Sequence, residues 1–198
     1  MDRKICYYMA HEIIKAVLIY EAETVQEILS RKYKRWKIIS TERYRVIATR
    51  PELPQKKWKT TFLYDNHFLL EGKIVYPDVI WVLKPHTHGI TRYVVHEVKV
   101  GKYNIEEVWR KYEGIYVRWG RKRSFAKLTT PNTPLFLWAQ RREHKRNLRE
   151  IEEKGLEIKS LRRGGIRLIS IELILPLMRE RVLEAGEILG FKSWRRRK

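Results

Sequence analysis

The chain of 198 residues carries 43 Lys and Arg against 23 Asp and Glu, a formal charge of +20, so it is positive at any physiological pH and suited to polyanionic partners. Its 43% hydrophobic content, with seven Trp, eleven Tyr and five Phe, supplies a real core and excludes a largely disordered basic protein. The only cysteine, Cys6, excludes an intramolecular disulfide framework and any Cys-rich zinc or iron–sulfur site.

This length fits one domain, read as a core over about residues 8–140 with a C-terminal strand and helix extension over about 141–198. The apolar stretch IIKAVLIY follows His11 and Glu12 and is broken by Lys15, so it is neither a signal peptide nor a membrane span. The basic residues are spread along the chain rather than set opposite an apolar helix face, which disfavours a membrane surface. The expectation is a cytoplasmic protein, in the host cell if viral, with nucleic acid as partner. Abundant Lys, Arg, Glu and Ile beside few Gln and Asn resembles hyperthermophile usage.

In chain order, Met9, Ile13, Ala16, Val17, Tyr20, Val25, Ile28 and Leu29 recur at three- and four-residue steps and predict an amphipathic helix over about Tyr8 to Lys32, broken near Glu23-Thr24. The β-branched and aromatic segment Trp36 to Ala48 reads as a strand or tight hairpin, and RPELPQKKWK as a loop. Two strand-like runs, TTFLY and FLLEGKIVYPDVIWVL, flank a turn at Asp65-Asn66-His67, the second with a bend at Glu71-Gly72. The polar loop KPHTHGIT precedes the strand RYVVHEVKV. Asn104 opens a helix with the box-like Asn104-x-x-Glu107, striped by Ile105, Val108, Trp109, Tyr112, Ile115 and Tyr116 and ending near Gly120. The continuous apolar PLFLWAQ suits a strand buried on both faces. A charged helix from about Arg142 to Lys154, the strand-like GLEI and GIRLISIEL, and a helix over Met178 to Leu189 complete the chain before WRRRK. Strands mixed with helices in this order predict an α/β fold, a mixed sheet covered by helices.

Three residues stand out chemically. Strand alternation in YVVHEVKVG puts Glu97 and Lys99 on one face and Val94, His96, Val98 and Val100 on the other. Charges in the middle of a buried strand are exposed, paired or functional. Asp78 poses the same problem, standing between Tyr76-Pro77 and the apolar Val79-Ile80-Trp81-Val82-Leu83. Two carboxylates on neighbouring strands repel each other, and a hard divalent cation, Mg²⁺ with Mn²⁺ as substitute, holds both ionised. Such an ion polarises a phosphoryl oxygen and acidifies water, while Lys99 orients that water or offsets developing charge. The bland alternative is a surface Glu97–Lys99 pair and a strand-end Asp78.

With Pro77-Asp78 as the PD element and Glu97-Val98-Lys99 as the ExK element about twenty residues later, the stretch from Glu71 to Tyr116 resembles the PD-(D/E)xK nuclease superfamily. The resemblance implies a restriction-endonuclease-like αβββαβ core and Mg²⁺ held by Asp78, Glu97 and the Val98 main-chain carbonyl. It implies Lys99 as the catalytic lysine and a further Glu from the first helix, for which Glu12 is the candidate and Glu42 the alternative. The helix NIEEVWRKYEGIYVRW lacks the Gln of the RecB-like branch, so the outline is nearer small archaeal Holliday-junction resolvases or viral nucleases. A homodimeric endonuclease acting on DNA follows as the expectation; its rivals are a non-catalytic nucleic-acid-binding protein on the same fold and a helical transcription regulator.

Other features are assigned by chemistry alone. His86 and His88 lack a matching acid and read as solvated or phosphate-facing rather than as a zinc pair. His96 reads as a satisfied core residue, and Trp109, Tyr112 and Tyr116 as core. Arg121, Lys122 and Arg123, next to Trp119, and Arg195, Arg196 and Arg197, next to Trp194, are candidate phosphate contacts or solvated runs.

Overall fold

The apolar stripe at the start of the chain folds as two helices, α1 (Arg3–Tyr20) and α2 (Ala22–Lys32). They meet at Glu21, two residues before the expected break; its N–H bonds the Val17 carbonyl and its own carbonyl takes the Val25 N–H. Ile14, Val17, Leu18, Ala22, Val25 and Leu29 form the buried stripe. Met9 and Tyr20, counted in that stripe from spacing, are 51% and 80% exposed: the helix overhangs the core at one end and stops at the break at the other.

The computed structural model describes residues 3–49, 60–63, 66–69, 77–112, 116–119, 124–127, 133–154 and 165–188. After α2 the chain makes a single 3₁₀ turn at Lys37–Ile39, and only then enters β1 (Tyr44–Thr49). The strand expected from Trp36 is therefore confined to its second half. Trp36 stacks on Tyr33 at 3.9 Å, and Gln26 donates its side-chain amide to the carbonyls of Ile39 and Tyr44, which ties this turn to α2 rather than to a sheet.

The remaining strands and α-helices are β2 (Thr60–Leu63), β3 (Asn66–Leu69), β4 (Val79–Pro85), β5 (Arg92–Val98), α3 (Ile105–Tyr112), β6 (Tyr116–Trp119), β7 (Ser124–Lys127), β8 (Leu135–Ala139), α4 (Arg141–Glu153), β9 (Ile166–Ser170) and α5 (Leu175–Ile188). Five strands form an open mixed sheet in the order β1-β4-β5-β8-β9. The β1–β4 and β4–β5 pairs are antiparallel; β5–β8 and β8–β9 are parallel. β2–β3 and β6–β7 are separate antiparallel hairpins.

Helices cover both faces. Ile105, Val108 and Tyr112 of α3 and Ile151 of α4 pack on Ile80, Val82, Tyr93, Val95, Leu135 and Leu137. Residues of α1 and α2 pack on Val79, Trp81, Leu83, Val94, Val98, Phe136 and Trp138. β8 lies between two parallel neighbours and all five of its residues are fully buried, the outcome expected from its unbroken apolar run. β9 and α4, assigned by sequence to an extension, belong to this sheet and its covering layer. Among the described residues no helix is long and apolar enough to cross a membrane.

Two boundaries differ from the sequence reading. The helix expected to reach Gly120 is described over Ile105–Tyr112 and does not extend to Tyr116, since Tyr116–Trp119 pairs instead with Ser124–Lys127 as a hairpin. Aromatic and β-branched residues there gain a strand partner, which outweighs continued helical spacing. In the β2–β3 hairpin Leu63 pairs with Asn66 and Phe62 with His67, so Asn66 and His67 are strand residues rather than the turn. The proposed loop over residues 50–59, the bend at Glu71-Gly72, GLEI and the closing WRRRK lie outside the described residues.

Candidate active site

The register of β4 against β5 positions the acids. The paired register ends with Val79 against His96. Asp78 stands just before β4 with its N–H on the His96 carbonyl, and Glu97 stands next to the last residue of β5, so both acids lie at this end of the sheet. Alternation sends Ile80, Val82, Tyr93 and Val95 toward α3 and α4, and Glu97 follows them, reaching Lys111 and Tyr112 of α3. Val94, Val98 and Val100 pack on the opposite face, as expected. Lys99 Nζ lies 2.8 Å from Glu97 Oε1.

Glu97 is 2% exposed, and an unpaired carboxylate there would be strongly destabilising. It is fully partnered. Besides Lys99, Lys111 Nζ donates to both carboxylate oxygens at 2.8 and 2.9 Å, and the Tyr112 hydroxyl donates to Oε2. Burial, then the charge and hydrogen bond of Glu97 and the charge of Asp78, hold the Tyr112 hydroxyl well above its usual range, so it stays a donor. The pair is therefore no surface ion pair. Tyr112 is a core residue as expected, but one whose hydroxyl serves the site.

Asp78 accepts the Val98 N–H on Oδ2 at 2.7 Å, its own N–H bonds the His96 carbonyl at 3.1 Å, and Oδ1 is 3.3 Å from His11 Nε2. Burial alone would raise this carboxyl, but His11, the Val98 N–H and Lys15 together hold it below the ordinary value. The other ring nitrogen of His11 lies 3.3 Å from Glu12 Oε1, and Lys15 donates to the same oxygen at 2.9 Å. An imidazole that faces a carboxylate on each side satisfies both only as the two-donor imidazolium. The hydrogen bond to Asp78, against burial, raises the His11 pKa accordingly. α1 thus brings Glu12 to Asp78 through one side chain.

Glu42, the alternative acid, is exposed in the turn before β1. Because Tyr44 pairs with Pro85 and Thr49 with Ile80, it sits at the far end of the sheet from Asp78 and is not part of this site. His86 and His88 are exposed in the β4–β5 loop, His86 bonding the Thr41 carbonyl. His96 is buried among Trp81, Phe136 and Trp138; burial, against the charge of Asp78, drops its pKa to about 3. It is core, yet only half satisfied: Nδ1 accepts from Trp138 Nε1 at 2.9 Å, while Nε2 has no partner among the described residues. The basic runs 121–123 and 195–197 lie outside the described residues.

Spacing alone did not reveal His11, Lys15 or Lys111. His11 and Lys15 bracket Glu12 at helical steps, a signal available only once Glu12 is taken as a site residue. Lys111 looks like any cation of a charged helix.

The donors fit a hard divalent ion in kind: oxygen ligands from Asp78, Glu97, Glu12 and the Val98 carbonyl. They do not form a ready cage. No three His, Cys, Asp or Glu side chains among the described residues converge as ligands, and Lys99, Lys111 and His11 hold the carboxylates instead. No family model, curated protein or solved structure matches this chain.

Proposed function

We propose that the chain is a Mg²⁺-dependent nuclease of the restriction-endonuclease-like kind that hydrolyses DNA phosphodiester bonds, branched DNA included. The observation that carries this reading is that the start of β4 and the end of β5 bring Asp78 and Glu97 to one end of the sheet, with Lys99 against Glu97. The element order supports it. With the hairpins set aside and α1 and α2 taken together as the first helical element, the chain through β1, β4, β5, α3 and β8 follows the αβββαβ order, with Pro77-Asp78 entering the second strand and Glu97-Val98-Lys99 closing the third.

Asp78, Glu97 and the Val98 carbonyl would hold the ion, which when bound polarises the phosphoryl oxygen and acidifies water. Lys99 supplies an amine beside the reacting phosphate, where it orients the attacking water and offsets developing negative charge. Tyr112 and Lys111 fix the Glu97 rotamer, and His11 keeps Asp78 ionised. The net charge of +20 draws the substrate in. A two-fold dimer would suit a symmetric DNA substrate.

One observation favours a second reading. Both Glu97 oxygens are already engaged by Lys111 and Tyr112, as in a structural ion pair, which fits a DNA-binding protein without catalysis. Incubating the protein with labelled duplex, single-stranded and branched DNA, with and without Mg²⁺ or Mn²⁺, separates the two. Cleavage is expected, falling about a hundredfold or more in Asp78→Ala, Glu97→Ala and Lys99→Ala variants that remain folded. Inertness on every substrate, with DNA binding unchanged by those substitutions, would establish the second reading instead.

A further inference from the structure

At the end of the sheet opposite Asp78 and Glu97 lies a concavity of about 350 Å³. It is framed by the starts of β1, β5 and β9 and by the turn that follows α2. Five wall residues are cationic, namely Arg35, Lys37, Arg43, Arg92 and Arg167, and no Asp or Glu lines it among the described residues. Arg35, Lys37, Arg43 and Arg92 enter none of the ion pairs among the described residues. Elsewhere acids neutralise cations closely, as Glu143 and Glu150 do Arg146. Here the positive charge is left to accumulate.

The cavity has a rigid wall. The Arg167 guanidinium lies 5.5 Å over the Trp36 ring, Trp36 stacks on Tyr33, and its ring meets buried Phe136 at 5.5 Å. A guanidinium held on an aromatic face is oriented before any ligand arrives, and apolar walls focus the field of neighbouring cations. The volume is near the lower limit for ligand pockets, room for a phosphate ester rather than a duplex groove.

The geometry points to a phosphate-ester site at this cavity, held by Arg43, Arg92 and Arg167 and independent of the Asp78–Glu97 centre. The same chemistry comes from a free nucleotide or from the phosphorylated end of a nucleic-acid strand. Isothermal titration in EDTA at roughly physiological salt distinguishes these sources. The probes are inorganic pyrophosphate, AMP, and single-stranded oligonucleotides with and without a 5′-phosphate. One ligand per chain is expected. Its affinity should fall about tenfold or more in Arg43→Ala/Arg92→Ala, as loss of two charge-assisted hydrogen bonds implies. It should change little in Lys145→Ala/Arg149→Ala, which removes the same charge from the exposed face of α4, and not at all in Asp78→Asn. Preference for the 5′-phosphorylated strand over AMP and pyrophosphate assigns the strand end; tighter AMP assigns the free nucleotide. Arg43 is exposed in a turn, so Arg43→Ala alone serves if the double variant does not fold. Absence of stoichiometric binding, or equal weakening by the α4 control pair, overturns the site, since the net charge alone would then account for binding.

Discussion

His144 shows how one buried group sets a pH response. Its Nδ1 accepts from the Tyr103 hydroxyl at 2.6 Å and its Nε2–H donates to the Ile169 carbonyl at 2.9 Å, a neutral imidazole using both nitrogens. Burial, against the Ile169 carbonyl and the charge of Glu172, lowers its pKa from 6.5. Below that value the unfolded chain binds a proton that the folded chain refuses. Stability from this group is therefore complete above pH 6.5 and lost as the pH falls below it, by up to about 1.4 kcal/mol per pH unit. Urea midpoints of the protein and His144→Phe should diverge in slope between pH 7.5 and the folded pKa; parallel curves would contradict the assignment. At this scale the sequence singled out Asp78, Glu97 and Lys99 as candidates, because a charge in a β-branched run is anomalous wherever it occurs, and the fold brings them to one end of the sheet. It disclosed nothing of Lys111, whose role comes from the path of α3 across the sheet.

At the scale of elements, α3 is anchored by its neighbour rather than by its own first turn alone. Asn104 Oδ1 takes the Glu106 N–H at 2.9 Å, the capping expected of it. The Ile105 N–H goes instead to Asn147 of α4, also at 2.9 Å, and the Asn147 amide donates to Glu143 O. Asn147→Ala would leave the Ile105 N–H buried and unsatisfied, a loss of about 1–3 kcal/mol measurable by urea denaturation. Asn147→Asp, which keeps the acceptor, should lose less; equal losses would mean that the Ile105 bond is not the source. Elements were readable where one period prevailed, as in the apolar run of β8 and the alternation of β5. They were misread where two patterns overlapped. Tyr116 continues the helical spacing of α3 and also begins an aromatic, β-branched run, and only the presence of β7 decides between them. Trp36 to Ala48 has strand composition throughout, yet its first half is claimed by the Tyr33 stack and the Gln26 bonds.

Across the whole molecule, the mixed sheet was expected from the order of elements, but the separation of charge along it was not. β5 begins at Arg92 in the cationic cavity and carries Glu97, its next-to-last residue, among the acids, the two about 17 Å apart at the usual strand rise. Composition reports only the sum, +20. The pairing of β4 with β5 connects the two ends, since Leu83 meets Arg92 and Val79 meets His96. One residue inserted after Ile80 would move Asp78, Val79 and Ile80 by one place, turning Val79 and Ile80 from their core faces and taking Asp78 from the Val98 N–H. A loss of several kcal/mol should follow. Two residues inserted after His88 lengthen only an exposed loop, at a cost of about 1 kcal/mol or less. Thermal unfolding of the two variants measures the contrast, and equal losses would contradict the register argument. The same register bears on how relatives of this chain are to be compared. Length changes between Pro85 and Arg92 leave the β4–β5 register, and with it the placing of Asp78 and Glu97 at one end of the sheet, as it is. A single gap within β4 or β5 marks a lineage in which the fold was rebuilt or the acids were abandoned.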